Sequence, residues 1–98
     1  MEKLKVRRSN TFVKDVVRAR KRGFDIRKLD EVIEKLANRE TLDEHYHDHP
    51  LVGNYGDYRE CHIKPDWLLI YYIDDKQLKL FLFRTGRHSD LFEHNIMY

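Results

Sequence analysis

The chain has 98 residues, with 19 Lys and Arg against 17 Asp and Glu, and a formal net charge of +2. This length predicts a single domain over residues 1–98 with one modest core. No apolar run reaches the roughly 18 residues that a transmembrane helix needs. Residues 1–10 are charged, unlike a secretory signal, and the single Cys61 excludes an intrachain disulfide. We therefore expect a cytoplasmic protein.

Charge divides the chain into two halves. Residues 1–41 carry 13 Lys and Arg against 7 Asp and Glu, whereas residues 42–98 carry 6 against 10. The basic half indicates either a polyanionic partner, such as RNA or an acidic protein, or solvated helix faces. All six histidines lie in the acidic half, where we therefore expect the chemistry.

The basic half predicts a short strand and two helices. Residues 3–7 alternate as an edge strand does. Apolar residues then recur at helical spacing after Ser9 or Asn10, either of which can cap a helix, and Gly23 ends this run. A second apolar stripe follows Asp25, a further capping residue.

The acidic half predicts a loop over residues 38–56 and then three strands. Residues 58–63 alternate, residues 67–73 are apolar on both faces, and residues 77–84 form the last strand. A tight turn over residues 74–76 joins the last two strands.

Together these elements predict an α+β domain. Its order is a short N-terminal strand, an antiparallel two-helix hairpin and an antiparallel three-strand meander. We expect the hairpin to cover one sheet face and the other face to be concave and partly exposed. His62, Asp66 and Arg84 then lie at strand ends that can converge, and we expect Arg84 and His88 to be exposed there.

One candidate for the chemistry is a metal site at HYHDH, residues 45–49. Alternating histidines on an extended segment can share one face and chelate. The run is one residue short of the metallohydrolase pattern HxHxDH, and no cysteine cluster accompanies it. A polar surface loop is the alternative, and we expect no metal or other cofactor.

A second candidate is nucleophilic catalysis by Cys61 beside His62. The two residues lie on opposite faces of the predicted strand, where Cys61 alternates with Ile63. A buried, small apolar residue is therefore the preferred interpretation of Cys61.

The third candidate is metal-free cleavage of RNA. Attack of a 2′-hydroxyl on the adjacent phosphorus needs a base, a cation for the phosphorane and an acid for the leaving oxygen. Histidine titrates near neutrality, and arginine presents a planar fork to phosphate. His62 as a structural residue, and Arg84 in a structural ion pair with Asp66, are the alternatives.

Three segments, DHPL at 48–51, YRECHIKPDWLLIY at 58–71 and RTGRHSDLF at 84–92, resemble the YafQ-type toxins of the RelE superfamily. The resemblance covers nearly the whole chain, including the helical hairpin, and implies the RelE-like fold of microbial RNases. Members of this family are ribosome-dependent mRNA interferases of type II toxin–antitoxin systems.

The resemblance also implies roles for individual residues. His49 and His62 correspond to histidines that act on the 2′-hydroxyl, and Asp66 to a carboxylate that orients a histidine. Arg84 corresponds to the cation on the phosphate, and His88 to the general acid. Two aromatic residues belong to the same motif: Phe92 positions the substrate or a catalytic ring, and Trp67 either stacks on a base or serves as a sheet residue.

The basic end of the first predicted helix is a hypothetical RNA-binding surface for the ribosome. It comprises Arg18, Arg20, Lys21 and Arg22, for which a solvated face is the alternative.

The resemblance implies several partners: the ribosome, mRNA and a cognate antitoxin in a heterotetramer that reaches operator DNA only through the antitoxin. We expect that antitoxin to be acidic and partly disordered alone. Two other functions stay open, a ParE-like gyrase binder on the same fold and an inactive co-repressor that only binds the antitoxin. His45, His47 and residues 93–98 have no predicted role.

Overall fold

The computed structural model describes residues 3–53 and 56–92. Its elements, in chain order, are β1 (Lys5–Arg8), α1 (Asn10–Lys21), α2 (Ile26–Ala37), a 3₁₀ turn (Glu44–Tyr46), β2 (His49–Pro50), β3 (Arg59–Lys64), β4 (Trp67–Asp74), β5 (Lys79–Gly86) and α3 (His88–Phe92). The predicted α+β class is confirmed. The 3₁₀ turn, β2 and α3 were not predicted. Residues 93–98, which have no predicted role, lie outside the described residues.

The caps of the two long helices follow the sequence prediction. Ser9 is the N-cap of α1, where its Oγ accepts the Phe12 N–H at 2.9 Å. Asp25 caps α2 by accepting the Arg27 N–H at 3.1 Å. Gly23 follows the end of α1 with φ +85°, a left-handed conformation that favours glycine.

The sheet is larger than the predicted meander. It has five strands in the order β1-β5-β4-β3-β2, with β1 parallel to β5 and the other neighbours antiparallel. β2 extends the sheet beyond β3 by pairing His49 with Glu60 and Pro50 with Arg59. This two-residue strand brings a loop histidine to the sheet edge.

One sheet face carries the main core. Side chains of α1 and α2, such as Phe12, Leu29 and Val32, form one buried cluster with Leu69 and Leu82. Burial of these apolar side chains is the main stabilising term for such a small fold.

The opposite sheet face, which was predicted to be concave and partly exposed, carries a core of its own. Leu51 from the loop, Leu68 and Ile70 from β4 and Leu91 from α3 form a second buried cluster there. α3 therefore packs on the sheet face that also carries Glu60 and His62, because these two residues pair with Ile70 and Leu68. Over the described residues, no helix is long and apolar enough to cross a membrane.

Candidate active site

A buried glutamate joins two of the predicted histidines. The Oε1 atom of Glu60 lies 3.3 Å from Nε2 of His49 and 3.6 Å from Nε2 of His62. Glu60 is only 2% exposed, whereas about half of the His49 side chain is exposed. A buried carboxylate is costly unless it is paired, so Glu60 fixes where both imidazoles lie.

The other ring nitrogen of His49, Nδ1, limits where a proton can lie between His49 and Glu60. Its Nδ1 lies 2.7 Å from the carbonyl oxygen of His47, and a nitrogen facing a carbonyl must donate. Nε2 can then hydrogen-bond to Glu60 only through one further proton, carried by the imidazole or by the carboxyl group. His49 and Glu60 are thus placed to share that proton.

His47 completes this group, although its sequence position indicated only a loop. Its ring meets the ring of His62 edge to face, with 5.5 Å between the ring centroids. His45 instead pairs with Asp43 at 2.9 Å on the exposed surface. We call His47, His49, Glu60 and His62 the histidine cluster. Glu60 was missed in the sequence, although its alternation with His62 was visible.

Asp66 and His88 form a second group. Asp66 lies in the turn between β3 and β4, and its Oδ1 accepts the backbone N–H of His88 at 3.4 Å. Both residues are exposed, as was predicted for His88. His88 is the first residue of α3, so the position of this helix decides where its imidazole lies.

Asp90 holds α3 in place, and Gly86 has no side chain to obstruct it. The Asp90 carboxylate accepts the Arg87 N–H at 3.0 Å and pairs with Arg22 of α1 at 2.6 Å. A Cβ on Gly86, whose φ is +155°, would lie 3.3 Å from Asp90 Oδ2. Partial burial raises the pKa of Asp90, but the hydrogen bonds from Arg22 and Arg87 outweigh it and hold that pKa below its ordinary value.

Arg84 forms an ion pair, but not with Asp66. Its Nε and Nη2 contact the Asp15 carboxylate of α1 at 2.8 and 3.2 Å, and Thr85 N–H donates to the same carboxylate at 3.1 Å. The alternative of an Arg84–Asp66 pair is therefore wrong, and so is the expectation of an exposed strand end. Asp15 uses two of the five guanidinium donors.

The two groups lie on either side of β4. His62 of β3 and Gly86 of β5 both stand opposite Leu68 in the strand register. Two strand spacings separate them, which corresponds to about 10 Å between backbones. His88 follows Gly86 by two residues, so the histidine cluster and the Asp66–His88 group can face one substrate from opposite sides.

Known proteins share both the sequence and the fold. Residues 4–93 match the family model described as the bacterial toxin of type II toxin–antitoxin system, YafQ. The chain is 44% identical over 85 residues to the mRNA interferase toxin YafQ of Escherichia coli strain K12, a match covering 86% of this chain and 90% of the relative.

The chain belongs to the YafQ toxin family.

Solved structures of similar proteins agree with this. The fold matches the E. coli DinJ-YafQ toxin–antitoxin complex with a TM-score of 0.85 and 40% identity, over 92% of this chain and 98% of that chain. It matches a metal-bound toxin from Helicobacter pylori with a TM-score of 0.86 and 46% identity, over 91% of this chain and 99% of that chain. The resemblance read from the sequence is confirmed.

The two aromatic residues of the family motif have different outcomes. Trp67 is 2% exposed, its Nε1 donates to Thr85 Oγ1 at 3.0 Å, and its ring packs against Phe24. Because the ring is buried in the core, the structure favours the role of Trp67 as a sheet residue over base stacking. Phe92 ends α3, but its side chain lies outside the described part of the structure.

The predicted RNA-binding surface is only partly available. Arg22 and Arg18 lie 2.6 and 3.8 Å from the Asp90 carboxylate, so Arg22 serves mainly to hold α3. Arg20 and Lys21 are exposed. Of the four basic residues nominated on this YafQ-family chain, these two remain the better candidates for RNA contacts.

The metal site at residues 45–49 and nucleophilic catalysis by Cys61 lack support among the described residues. The described residues contain no group of three or more His, Cys, Asp or Glu side chains arranged to hold a metal ion. Cys61 is fully buried, as predicted, and burial raises the pKa of its thiol. A thiol held protonated in the core is a poor nucleophile.

Proposed function

We propose that this protein is an endoribonuclease that cleaves mRNA on the ribosome by acid–base catalysis without a metal. The observation that supports it most is the pair of histidine groups on either side of β4, in a chain whose E. coli relative is named an mRNA interferase. In-line attack needs the base and the acid on opposite sides of one phosphate.

On the first side, the histidine cluster activates the 2′-hydroxyl. His62 takes the proton as the oxygen attacks phosphorus, and Glu60, within 3.6 Å of its imidazole, stabilises the resulting positive charge. His49 supports this step by holding Glu60, because both of its ring nitrogens already face partners. The exposed part of the His49 ring lets this group reach RNA, while Glu60 stays buried below it.

On the second side, His88 protonates the departing 5′-oxygen. Asp66 fixes the start of α3 by accepting the His88 N–H, and Asp90 holds α3 against α1 through its ion pair with Arg22. Positioning of this kind matters because misplacement by about 1 Å can cost roughly 100-fold in rate.

Arg84 stabilises the phosphorane in this proposal. The buried Asp15 carboxylate grips one edge of the guanidinium, and the donors on the other edge are those that would meet phosphate. A preorganised cation needs no reorientation as charge develops. Asp15 therefore acts as a positioning residue for Arg84.

The ribosome would supply what this site lacks. The three histidines of the histidine cluster line an open groove of about 860 Å³ between α2 and the edge of β3, rather than an enclosed cleft. Presentation of a bent mRNA by the ribosome would replace the binding energy that a deep cleft provides. Such a role places the protein in the cytoplasm.

An antitoxin is the proposed protein partner, since the E. coli relative is found in a DinJ-YafQ toxin–antitoxin complex. We propose an acidic, partly disordered antitoxin that folds onto α1, where Arg20 and Lys21 are exposed. A heterotetramer that reaches operator DNA through the antitoxin follows from the family resemblance.

Mapping of transcript 5′ ends after a brief pulse of expression tests the function. The wild type should create new cuts within translated codons, His88→Ala should not, and the control His45→Ala should behave as the wild type. Growth arrest with intact transcripts would overturn the proposal in favour of a ParE-like binder. If expression causes neither growth arrest nor new cuts, the protein is instead an inactive one that only binds the antitoxin.

A further inference from the structure

A second groove lies beside the histidine cluster, and of its lining residues the mechanism above uses the side chain of Asp66 alone. It encloses about 440 Å³ between the start of α2 and the turn that joins β3 to β4. Its lining comprises Gly23, Phe24, Asp25, Lys28, Lys64, Asp66, Trp67 and Arg87. Aromatic and basic side chains together are the combination that binds single-stranded nucleic acid.

The floor of this groove is aromatic. The half-buried ring of Phe24 packs on Trp67 with 4.9 Å between centroids, and the Arg87 guanidinium lies 5.6 Å from the Phe24 centroid. Trp67 is buried and serves as support, so Phe24 and Arg87 are the surfaces that a ligand can reach. A nucleobase stacks favourably on both an aromatic ring and a guanidinium plane.

Two lysines connect this groove to the active site. Lys28 and Lys64 line both the second groove and the groove of the histidine cluster. Both are exposed, and neither they nor Arg87 form an ion pair within the part of the chain that the structure describes. A chain of phosphates could thus pass from the cluster to the second groove along a basic path.

The charges around the second groove favour an anion. Its three cations face two carboxylates, and both carboxylates are engaged. Asp25 lies 3.2 Å from Nε of Arg27, while Asp66 accepts the His88 N–H. The cations are therefore the groups left to attract a ligand.

We propose that the second groove is a subsite for a nucleotide next to the cleaved one in mRNA. Its base packs against Phe24 and Arg87, and the phosphates between the two grooves lie on Lys28 and Lys64. This inference rests on the proposed function, since it deepens the account of how that site holds RNA. It adds four positioning residues outside the proton-transfer machinery.

Binding of a short RNA that cannot be cleaved tests the phosphate contacts. The probe is a fluorescent pentanucleotide with 2′-O-methyl riboses, and its Kd is measured at several salt concentrations. The double variant Lys28→Gln/Lys64→Gln should bind more weakly and lower the slope of log Kd against log salt by about 1.4, since each lost contact removes about 0.7 for single strands. Lys76→Gln, in the turn after β4, is the matched control and should not change the slope.

A thermodynamic cycle, which combines a substitution in the protein with removal of a base from the probe, tests the base contact. Removing one flanking base from the probe should weaken binding to the wild type roughly tenfold. The same change should have little effect on Arg87→Gln or Phe24→Leu, each checked for an unchanged circular dichroism spectrum. Arg87→Gln keeps the proposal testable if Phe24→Leu fails to fold.

The outcomes separate this inference from the proposed function. The subsite is overturned, even if transcripts are cut, if removing the flanking base weakens binding equally in the wild type and in Arg87→Gln. It is also overturned if the lysine substitutions leave the salt slope unchanged. No detectable binding of the pentanucleotide to the wild type would also overturn it. If transcripts stay intact while the cycle shows coupling, the second groove binds a nucleotide as proposed, and it is the cleavage proposal that fails.

Discussion

Arg84 and Asp15 form a two-point ion pair across the junction of α1 and β5, with Nε 2.8 Å from Oδ2 and Nη2 3.2 Å from Oδ1. The carboxylate side chain is 1% exposed and the guanidinium 23%. The pair anchors α1 on the sheet, and in the proposed mechanism it also orients the cation that would bind phosphate.

Removing this cation should destabilise the fold as well as reduce activity. Arg84→Ala leaves the Asp15 carboxylate buried without its partner, so we expect the free energy of unfolding to fall by roughly 2–3 kcal/mol. Urea denaturation measures this, with the exposed Arg7→Ala as the control, expected within about 0.5 kcal/mol of the wild type. An unchanged Arg84→Ala midpoint would show that the pair contributes little.

Glu60 should matter for the rate more than for the fold. Glu60→Gln keeps the size of the side chain but removes the charge that faces His49 and His62, so we expect a rate loss of tenfold or more on programmed ribosomes, since a positioned base contributes about 100-fold or more. Glu44→Gln in the 3₁₀ turn is the matched control. Equal rates for Glu60→Gln and the wild type would remove Glu60 from the mechanism.

The anchor of α3 should depend on pH in a defined direction. Because hydrogen bonds from Arg22 and Arg87 hold the pKa of Asp90 below its ordinary value, the carboxylate stabilises the fold above the unfolded pKa of about 3.9. That stabilisation is lost as pH falls through the lower pKa of the folded state. The difference in unfolding free energy between the wild type and Asp90→Asn should therefore be present at pH 6 and vanish in stronger acid. A difference that persists or grows in acid would contradict this sign.

Cys61 should be inert in the native protein. It is fully buried and burial raises the pKa of its thiol, so alkylation by iodoacetamide should proceed only as fast as the protein opens. The same thiol should react at once in urea. Rapid labelling of the folded protein would reopen the interpretation of Cys61 as a nucleophile.

Local patterns in the sequence predicted much of the fold. Capping by Ser9 and Asp25 and the turn at Gly23 depend on residues within a few positions, and the burial of Cys61 follows from strand alternation. Such signals need no knowledge of the rest of the chain.

Local sequence patterns could not predict the contacts between segments that are far apart in the sequence. Arg84 and Asp15 are 69 residues apart, and Arg22 and Asp90 are 68 apart. Their pairing depends on how α1 and α3 lie on the sheet, which no local pattern encodes. β2 is only two residues long, so the sequence could not indicate that His49 stands opposite Glu60.

The chemistry of the cut ends tests the central claim most directly. Attack by the 2′-hydroxyl leaves a 2′,3′-cyclic phosphate and a 5′-hydroxyl, and needs no added metal. We expect protein that has been treated with EDTA and then freed of it to give these ends on programmed ribosomes in magnesium buffer, and to spare an mRNA with a single 2′-deoxy nucleotide at the cut. Cleavage of that deoxy substrate, or products with a 5′-phosphate, would contradict the acid–base mechanism.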